Sequence, residues 1–376
     1  IFYQYVYFCS FFCYNILMEE IERYKHLNKY LKEKFGERTL KICIDGGFTC
    51  PNRDGTKGIG GCIFCSERGS GEHIKQVYGS LEDKTISNIN ISHKQQNLNR
   101  KFEFISEQVK NYFNSYKAQR ANKFIAYFQN FTNTYDTVEN LKLKYDASLI
   151  DDRIVGLEIA TRPDCVTEEI ARLLKSYTDK YYVCVELGLQ TANEQIGKLI
   201  NRCYSNEEFT KAIDILNKYG IDVVAHIMIG LPNVGIDDKN NRNISNNYDN
   251  SNNASKVDIQ HELAPDIKDT VKFLNQHRIQ GLKIHSCYIV KDTKLEEIYQ
   301  LGQYTPISLE QYLKDCAYIL THINPNIIIH RVSGDAPKDL LVAPSWNSHK
   351  KWIINGLDKY LRENDLWQGM YYSVNG

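Results

Sequence analysis

Two rhythms of apolar residues run through this chain. In one, nearly every position of a short run is apolar, as at 40–45 (LKICID), 123–129 (KFIAYFQ), 153–160 (RIVGLEIA), 181–187 (YYVCVEL), 221–229 (IDVVAHIMI) and 280–286 (QGLKIHS). In the other, apolar residues fall three and four apart, as over 101–116, where Phe102, Ile105, Val109, Tyr112, Phe113 and Tyr116 share one helical face. Helical spacing recurs at 137–149, 167–177, 193–200, 206–219 and 266–277, between the strand-like runs. Such alternation predicts βαβ crossovers and a parallel sheet. Six strands fall short of the eight that close a full barrel. The pattern therefore predicts an α/β fold, either an open (β/α)6 barrel or a doubly wound sheet. A barrel-like sheet would carry its functional residues at the carboxyl ends of the strands. A helix at 308–322, a strand at 326–331 and a helix near 349–363 are expected to pack beside it.

Three segments break the rhythm. Between Asn240 and Asn253, eight of fourteen residues are Asn, so 233–262 is expected to be a disordered surface insertion. A polar stretch near 86–100 has the same character. The first seventeen residues, IFYQYVYFCSFFCYNIL, are apolar and uncharged. They lack the basic start and small-residue cleavage site of a signal peptide, and Gln4, Ser10 and Asn15 make a marginal membrane span. The first methionine is Met18, so 1–17 are expected to be an upstream in-frame translation rather than native protein. No other segment is long and apolar enough to span a bilayer.

Composition sets outer limits. With 376 residues, 42% of them apolar, the chain can bury a substantial core. Lys+Arg and Asp+Glu both number 46, so no global field marks a nucleic-acid or membrane binder, although a local basic patch stays open. Eleven cysteines at irregular spacing do not form the framework of a small secreted domain. Cys184 and Cys316, inside apolar runs, read as small core residues. The expected compartment is the reducing cytoplasm.

The remaining cysteines point to chemistry. Cys50, Cys62 and Cys65 lie in a glycine-rich loop directly after the first strand, spaced Cys-x11-Cys-x2-Cys. Glycine permits the tight turns needed around a bulky inorganic group, and thiolate is the ligand that iron–sulfur clusters select. A structural zinc site needs four closed ligands; Cys43 and His73 could complete one, but Cys43 sits within a strand pattern. Three cysteines on a [4Fe–4S] cluster leave one iron open. Spacing alone leaves both readings standing.

The stretch ICIDGGFTCPNRDGTKGIGGCIFCSERGSG resembles the cluster loop of the YhcC-type radical SAM proteins, whose first cysteine lies unusually far from the Cys-x2-Cys pair. YFQNFTNTY, IATRPDC, ELGLQT, HIMIGLP, KIH, IHRVSGDAP, LLVAP and WQG resemble stretches of that group in the same order, from about Tyr24 to Gly369. The group is in turn similar to the radical SAM domain of the Elongator catalytic subunit. The resemblance implies a partial (β/α)6 TIM-type barrel over 18–300, with a helical C-terminal extension over 301–376 packed on it. It implies a [4Fe–4S] cluster on Cys50, Cys62 and Cys65, and S-adenosylmethionine cleaved to a radical that takes hydrogen from a substrate.

The same resemblance implies that Phe64 packs near the adenine of S-adenosylmethionine. Gln129, Thr132, Asn133 and Thr134 would close the second strand beside its amino group, and Thr161, Arg162 and Asp164 the third. Glu186 and Gln190 would meet the ribose or the methionine carboxylate, and Gly230 and Pro232 would line the adenine. Each has an ordinary reading as turn, helix start or strand exit. His226, His285 and His330, within apolar runs, read first as hydrogen-bonded core residues; Arg331 and Asp335 are plausible substrate contacts. The chain departs from the family where Cys203-Tyr204 replaces Gly-His, where Tyr288 replaces a second His, and where Asn233 begins the insertion. Both changes to tyrosine remove a group that titrates near neutral pH. An external electron donor of flavodoxin or ferredoxin type is implied. RNA, notably tRNA, is one candidate substrate, beside a metabolite or a protein. An iron–sulfur electron-transfer protein and a zinc-stabilised binding protein are the rival classes.

Overall fold

The computed structural model describes residues 22–69, 102–233, 265–334 and 336–373. Residues 1–17, the stretch 86–100, the insertion beyond Asn233, His73 and Asp335 lie outside them. The described chain runs α1 (Leu27–Phe35), β1 (Thr39–Ile44), α2 (Glu103–Phe113), β2 (Lys123–Phe128), α3 (Val138–Ser148) and β3 (Ile154–Thr161). It continues with α4 (Glu168–Lys175), β4 (Tyr182–Gln190), α5 (Glu194–Leu199), α6 (Asn206–Lys218), β5 (Asp222–Ile229), α7 (Pro265–Asn275) and β6 (Gly281–Ser286). Beyond these lie β7 (Ile289–Val290), α8 (Lys294–Gln300), α9 (Leu309–His322), β8 (Ile328–Arg331), β9 (Leu341–Ala343) and α10 (Lys350–Glu363).

Seven strands form one sheet in the order β1-β2-β3-β4-β5-β6-β8, and every neighbouring pair is parallel. The sheet curls into a half-barrel, the partial TIM-type barrel expected. Sequence order is kept because each crossover helix packs back on the sheet in one hand. The seventh strand is one difference: β8 joins the sheet beside β6 instead of packing next to it, and a separate two-stranded sheet of β7 and β9 was not foreseen. Ile329 is buried and its backbone also meets His26 on its other side, so β8 takes up hydrogen bonds that β6 would otherwise leave bare. Helix starts follow their cap signals. Ser205 and Glu208, for example, form a capping box at α6.

Period-two alternation divides the strand residues between two environments. Ile42, Phe128, Leu157, Val185, Ala225 and Leu282 face the helices and join the main apolar cluster. Their sequence neighbours Lys41, Tyr127, Glu158, Glu186, His226 and Lys283 fall on the opposite, inner face. Cys184 and Cys316 are fully buried, as expected of core residues. On the outside, Ile353, Leu357 and Leu361 of α10 join the same cluster as Tyr312, Cys316 and Leu320 of α9. No helix among the described residues is long and apolar enough to cross a membrane.

Asp315 of α9 is 2% exposed. Burial raises its carboxyl to about 7; a hydrogen bond from Gln311 opposes this and the nearby Asp266 adds to it. A raised carboxyl pKa means that the folded protein holds the proton more tightly. This group's contribution to stability is therefore full below about pH 4 and declines as the pH rises toward 7. Asp315→Asn should raise the melting midpoint at pH 8, with the gain shrinking toward pH 4; equal gains at both would contradict this account.

Candidate active site: a cysteine loop at the mouth of a half-barrel

After β1 the chain from Asp45 to Gly69 forms a run of turns with no helix or strand. Gly61 adopts φ +82, and a Cβ there would lie 3.0 Å from Arg53 Nε, so this position requires glycine. Ile63, between two of the cysteines, plugs into a small apolar cluster with Ile196, Ile200, Met228 and Leu295. Its amide donates to the Ile200 carbonyl (3.1 Å), and its own carbonyl accepts from the Leu295 amide (2.8 Å). The loop is thereby tied to the end of α5 and the start of α8.

A second tie comes from Asn201–Tyr204. Asn52 Nδ2 donates to the Asn201 carbonyl (2.6 Å) and lies 3.8 Å from Cys62 Sγ, while Asn201 Nδ2 donates to the Gly61 carbonyl (2.7 Å). Arg202 is fully buried, with its guanidinium donating to the carbonyls of Leu189, Thr191 and Tyr204 at 2.6–3.0 Å. Gln190, Asn201 and Cys203 all have φ between 55 and 59, and such strained non-glycine backbone gathers at functional sites. The Tyr204 hydroxyl donates to the Gly188 carbonyl (2.8 Å) and meets Gln190 Oε1 at 2.5 Å. The Tyr204 ring thus fixes Gln190.

Cys50, Cys62 and Cys65 line one cavity of about 180 Å³ with Phe64, Gln129, Thr132, Thr161, Arg162, Glu186 and Gln190. Seven of the twelve residues expected around S-adenosylmethionine therefore come together. The other five do not line it. Asn133 Nδ2 donates to the Ala160 carbonyl (2.7 Å), and the Thr134 hydroxyl bonds Thr161 (2.6 Å) and donates to the Cys165 carbonyl (2.7 Å). Asp164 pairs with Arg162 (2.9 Å) and Lys57 (3.0 Å). The Gly230 carbonyl accepts from Tyr304 (2.6 Å), and Pro232 is buried.

His226 and His285 also line this cavity, with Lys283, Tyr288 and Arg331. His285 is hydrogen-bonded as expected, its Nδ1 2.8 Å from the Ser286 carbonyl, but His226 is not a satisfied core histidine: its Nε2 is buried with no hydrogen-bond partner. Burial beside Lys283 lowers its pKa to about 3, so the ring is neutral near pH 7. Lys283 Nζ donates to Glu186 Oε1 (2.6 Å) and to Tyr127 Oη (3.2 Å), and Tyr127 donates to Glu186 Oε2 (2.9 Å). Burial pushes the Glu186 carboxyl up, but Lys283 outweighs it and holds it below the ordinary range. Lys41 and Glu158 form a second inner pair at 2.6 Å. Lys283, Tyr127, Lys41 and Glu158 escaped the sequence reading. Their signal was a charged or phenolic residue in the middle of a buried strand, all on one parity.

The cavity suits a cluster and a polar ligand. Burial, with Cys65 adding repulsion, raises the Cys62 thiol to about 12; a metal would relieve this cost by binding thiolate. No three His, Cys, Asp or Glu among the described residues converge on a single ion. The three cysteines line one space. Thr132 Oγ1, lining that space, is buried without a partner.

Comparison with known proteins supplies the class. Residues 50–241 match the Radical SAM superfamily and residues 279–363 the Radical_SAM C-terminal domain. The chain belongs to the radical SAM superfamily, whose members use a [4Fe–4S] cluster and S-adenosylmethionine. Within it, the chain is 33% identical over 351 residues to the uncharacterized protein YtqA of Bacillus subtilis, covering 93% of each. It is 29% identical over 337 residues to YhcC of Escherichia coli, covering 89% of this chain and 91% of that one. The tRNA uridine(34) acetyltransferase of Methanocaldococcus infernus is 28% identical over 191 residues, which is 50% of this chain and 30% of that protein. The solved Elp3 of Methanocaldococcus infernus shares the fold, with TM-score 0.53 and 17% identity over 88% of this chain and 64% of that one.

The ion pair beneath the cavity gives a direct test. Lys283→Met leaves Glu186 buried without its cation and should cost roughly 3 kcal/mol or more in urea denaturation. Adding Glu186→Gln should restore most of that loss; additive losses in the double variant would show that the two residues do not act as a pair.

Proposed function

We propose that the substrate of this radical SAM enzyme is a nucleoside within RNA, with a uridine of tRNA the leading case. The observation that carries this reading is a second cavity of about 1050 Å³, at the upper end of the volumes of ligand sites. It is lined by both edge strands, through Lys41 and Cys43 of β1 and His330 and Arg331 of β8, and by Tyr24, His26, Tyr112 and Tyr127. Its cations are Lys41, Lys117, Lys283, Arg331 and Lys350, of which Lys41 is paired with Glu158 and Lys283 with Glu186. Gln129, Glu186, Lys283 and Arg331 line both this space and the cysteine cavity. A chain of zero net charge thus carries a local basic recess with aromatic walls, suited to a phosphate-bearing base. The similarity to a tRNA uridine(34) acetyltransferase over half of this chain agrees with it.

Cys50, Cys62 and Cys65 would hold the cluster. When bound, it supplies the electron that cleaves S-adenosylmethionine to methionine and a hydrogen-abstracting 5′-deoxyadenosyl radical. The protein's part is to orient, to bind and to exclude water. Thr132 offers its unpartnered hydroxyl, Gln129 and Thr161 offer polar groups at the strand ends, and Phe64 offers an aromatic face. Glu186, held ionised by Lys283, accepts hydrogen bonds from ribose hydroxyls. Gln190 is pre-set by Tyr204. Arg162, anchored by Asp164 and by the carbonyls of Arg202 and Cys203, is a fixed cation. Asn133, Thr134, Asp164, Gly230 and Pro232 hold the frame from outside the cavity. A flavodoxin- or ferredoxin-type protein serves as electron donor.

Bulk tRNA from cells lacking the enzyme, incubated anaerobically with reduced holoenzyme and S-adenosylmethionine, should show one uridine derivative changed in mass. If every tRNA nucleoside stays unchanged while 5′-deoxyadenosine accumulates, the RNA reading is wrong.

A further inference from the structure

Asn52 lies in the cysteine loop between Cys50 and Cys62 and is fully buried. Its backbone carbonyl accepts from the Gly61 amide (2.8 Å), and its side-chain nitrogen donates to the Asn201 carbonyl (2.6 Å). Asn201 returns a bond from its own Nδ2 to the Gly61 carbonyl (2.7 Å). The residue before Cys62 is thus gripped at both its amide and its carbonyl. On the other side, a Cβ at Gly58 would lie 2.1 Å from Asn52 Oδ1, so the bare glycine backbone closes against the amide and keeps it from turning away.

These partners decide which way the amide faces. A backbone carbonyl only accepts, so the atom beside Asn201 must be the nitrogen of Asn52 and not its oxygen. That nitrogen carries two N–H groups. One goes to Asn201. Cys62 Sγ lies 3.8 Å from the same nitrogen, within reach of a sulfur acceptor. Buried N–H groups take an acceptor where one is offered, and here the fold offers a cluster ligand.

A donor aimed at an iron-bound sulfur has an electronic effect. Reduction adds one negative charge to a cluster, and part of that charge falls on its sulfurs. The positive end of an N–H favours the reduced form, which is why hydrogen bonds to the sulfurs are a lever on cluster potential.

We propose that Asn52 is a positioning residue that donates its second side-chain N–H to the Cys62 sulfur and so raises the reduction potential of the bound cluster. The turn that Arg202 anchors then does two things: it holds the loop, and through the Asn201 carbonyl it aims this donor. The inference rests on Cys50, Cys62 and Cys65 holding the cluster, and is independent of the substrate.

The test is the reduction potential of the full-length chain, loaded anaerobically with iron and sulfide and free of S-adenosylmethionine. The reduced cluster is read by electron paramagnetic resonance over a series of poised potentials. Asn52→Leu keeps the bulk of the side chain and removes the donor. Its reduction equilibrium should shift about tenfold toward the oxidised form, the weight of one hydrogen bond to a charged group, or about 59 mV more negative for a one-electron couple. Asn201→Gly tolerates the φ of 55 at that position, removes the tie to Gly61 and keeps the carbonyl that receives Asn52. Its potential should match wild type. Iron and sulfide contents check that both variants are loaded. A further reading needs no variant: wild-type protein isotopically labelled in its asparagine side-chain nitrogens should show a weak coupling of that isotope to the reduced cluster in pulsed resonance. An Asn52→Leu potential equal to wild type, equal shifts in the two variants, or no such coupling in the wild-type protein would each overturn this inference with the cluster still in place. A wild-type chain that binds no cluster would overturn the cluster reading and this inference together.

Discussion

Everything in this molecule depends on how charge is carried inside a half-barrel. Each strand of a parallel sheet wrapped by helices shows one face to apolar helices and the other to the lumen. An ionised group on that inner face has lost most of its water, and leaving it unpaired would cost several kcal/mol. The chain solves this with pairs that cross strands: Lys41 on Glu158 and Lys283 on Glu186, both at 2.6 Å. Lys283 and Glu186 share Tyr127 between them. These pairs keep the lumen polar, and they fix the carboxylate and the ammonium that face both cavities. A lumen filled with apolar side chains would be more stable and would bind nothing polar.

The cysteine loop is set on this frame by a different device. Arg202 is buried without a matching buried carboxylate; its charge is spread over three backbone carbonyls and the side chains of Glu194 and Asn206. Carbonyl dipoles hold the cation and, in return, the cation fixes the turn that carries Asn201, Cys203 and Tyr204. Asn52 and Asn201 then lock that turn to the loop from Cys50 to Cys65. The position of the three thiols is therefore set by hydrogen bonds from the turn after α5, which Arg202 anchors on β4, not by the loop's own glycines. Glycine allows the path, and Arg202 selects it.

Much of this was legible in the sequence. Six strands announce themselves as apolar runs because their outer face is core. The Cys-x11-Cys-x2-Cys loop stands out because no packing role calls for three thiols among so many glycines. Strand-end polar residues were found wherever a turn follows a strand. β8 was seen as a strand, yet its place in the sheet was not, since pairing partners leave no local signal. β4 runs on to Gln190, past the expected end, because a register shift near Gly188 keeps it paired with β5. The inner-face network was missed for a physical reason. A lone Lys, Glu or Tyr within an apolar run looks like a tolerated exception until neighbouring strands align such residues on one side. Asn133, Thr134 and Asp164 sit at the strand ends, as the motifs implied, yet their side chains bind the frame instead of the cavity.

The central claim is that Cys50, Cys62 and Cys65 hold a [4Fe–4S] cluster that works with S-adenosylmethionine. The most direct measurement is 5′-deoxyadenosine, by mass spectrometry, after anaerobic reconstitution with iron and sulfide and addition of dithionite and S-adenosylmethionine. The account predicts product from the wild-type chain and none from Cys62→Ala, with the visible absorption of the cluster lost or weakened in the variant. A wild-type chain that takes up zinc but no iron, or a stable cluster that yields no 5′-deoxyadenosine, would contradict it.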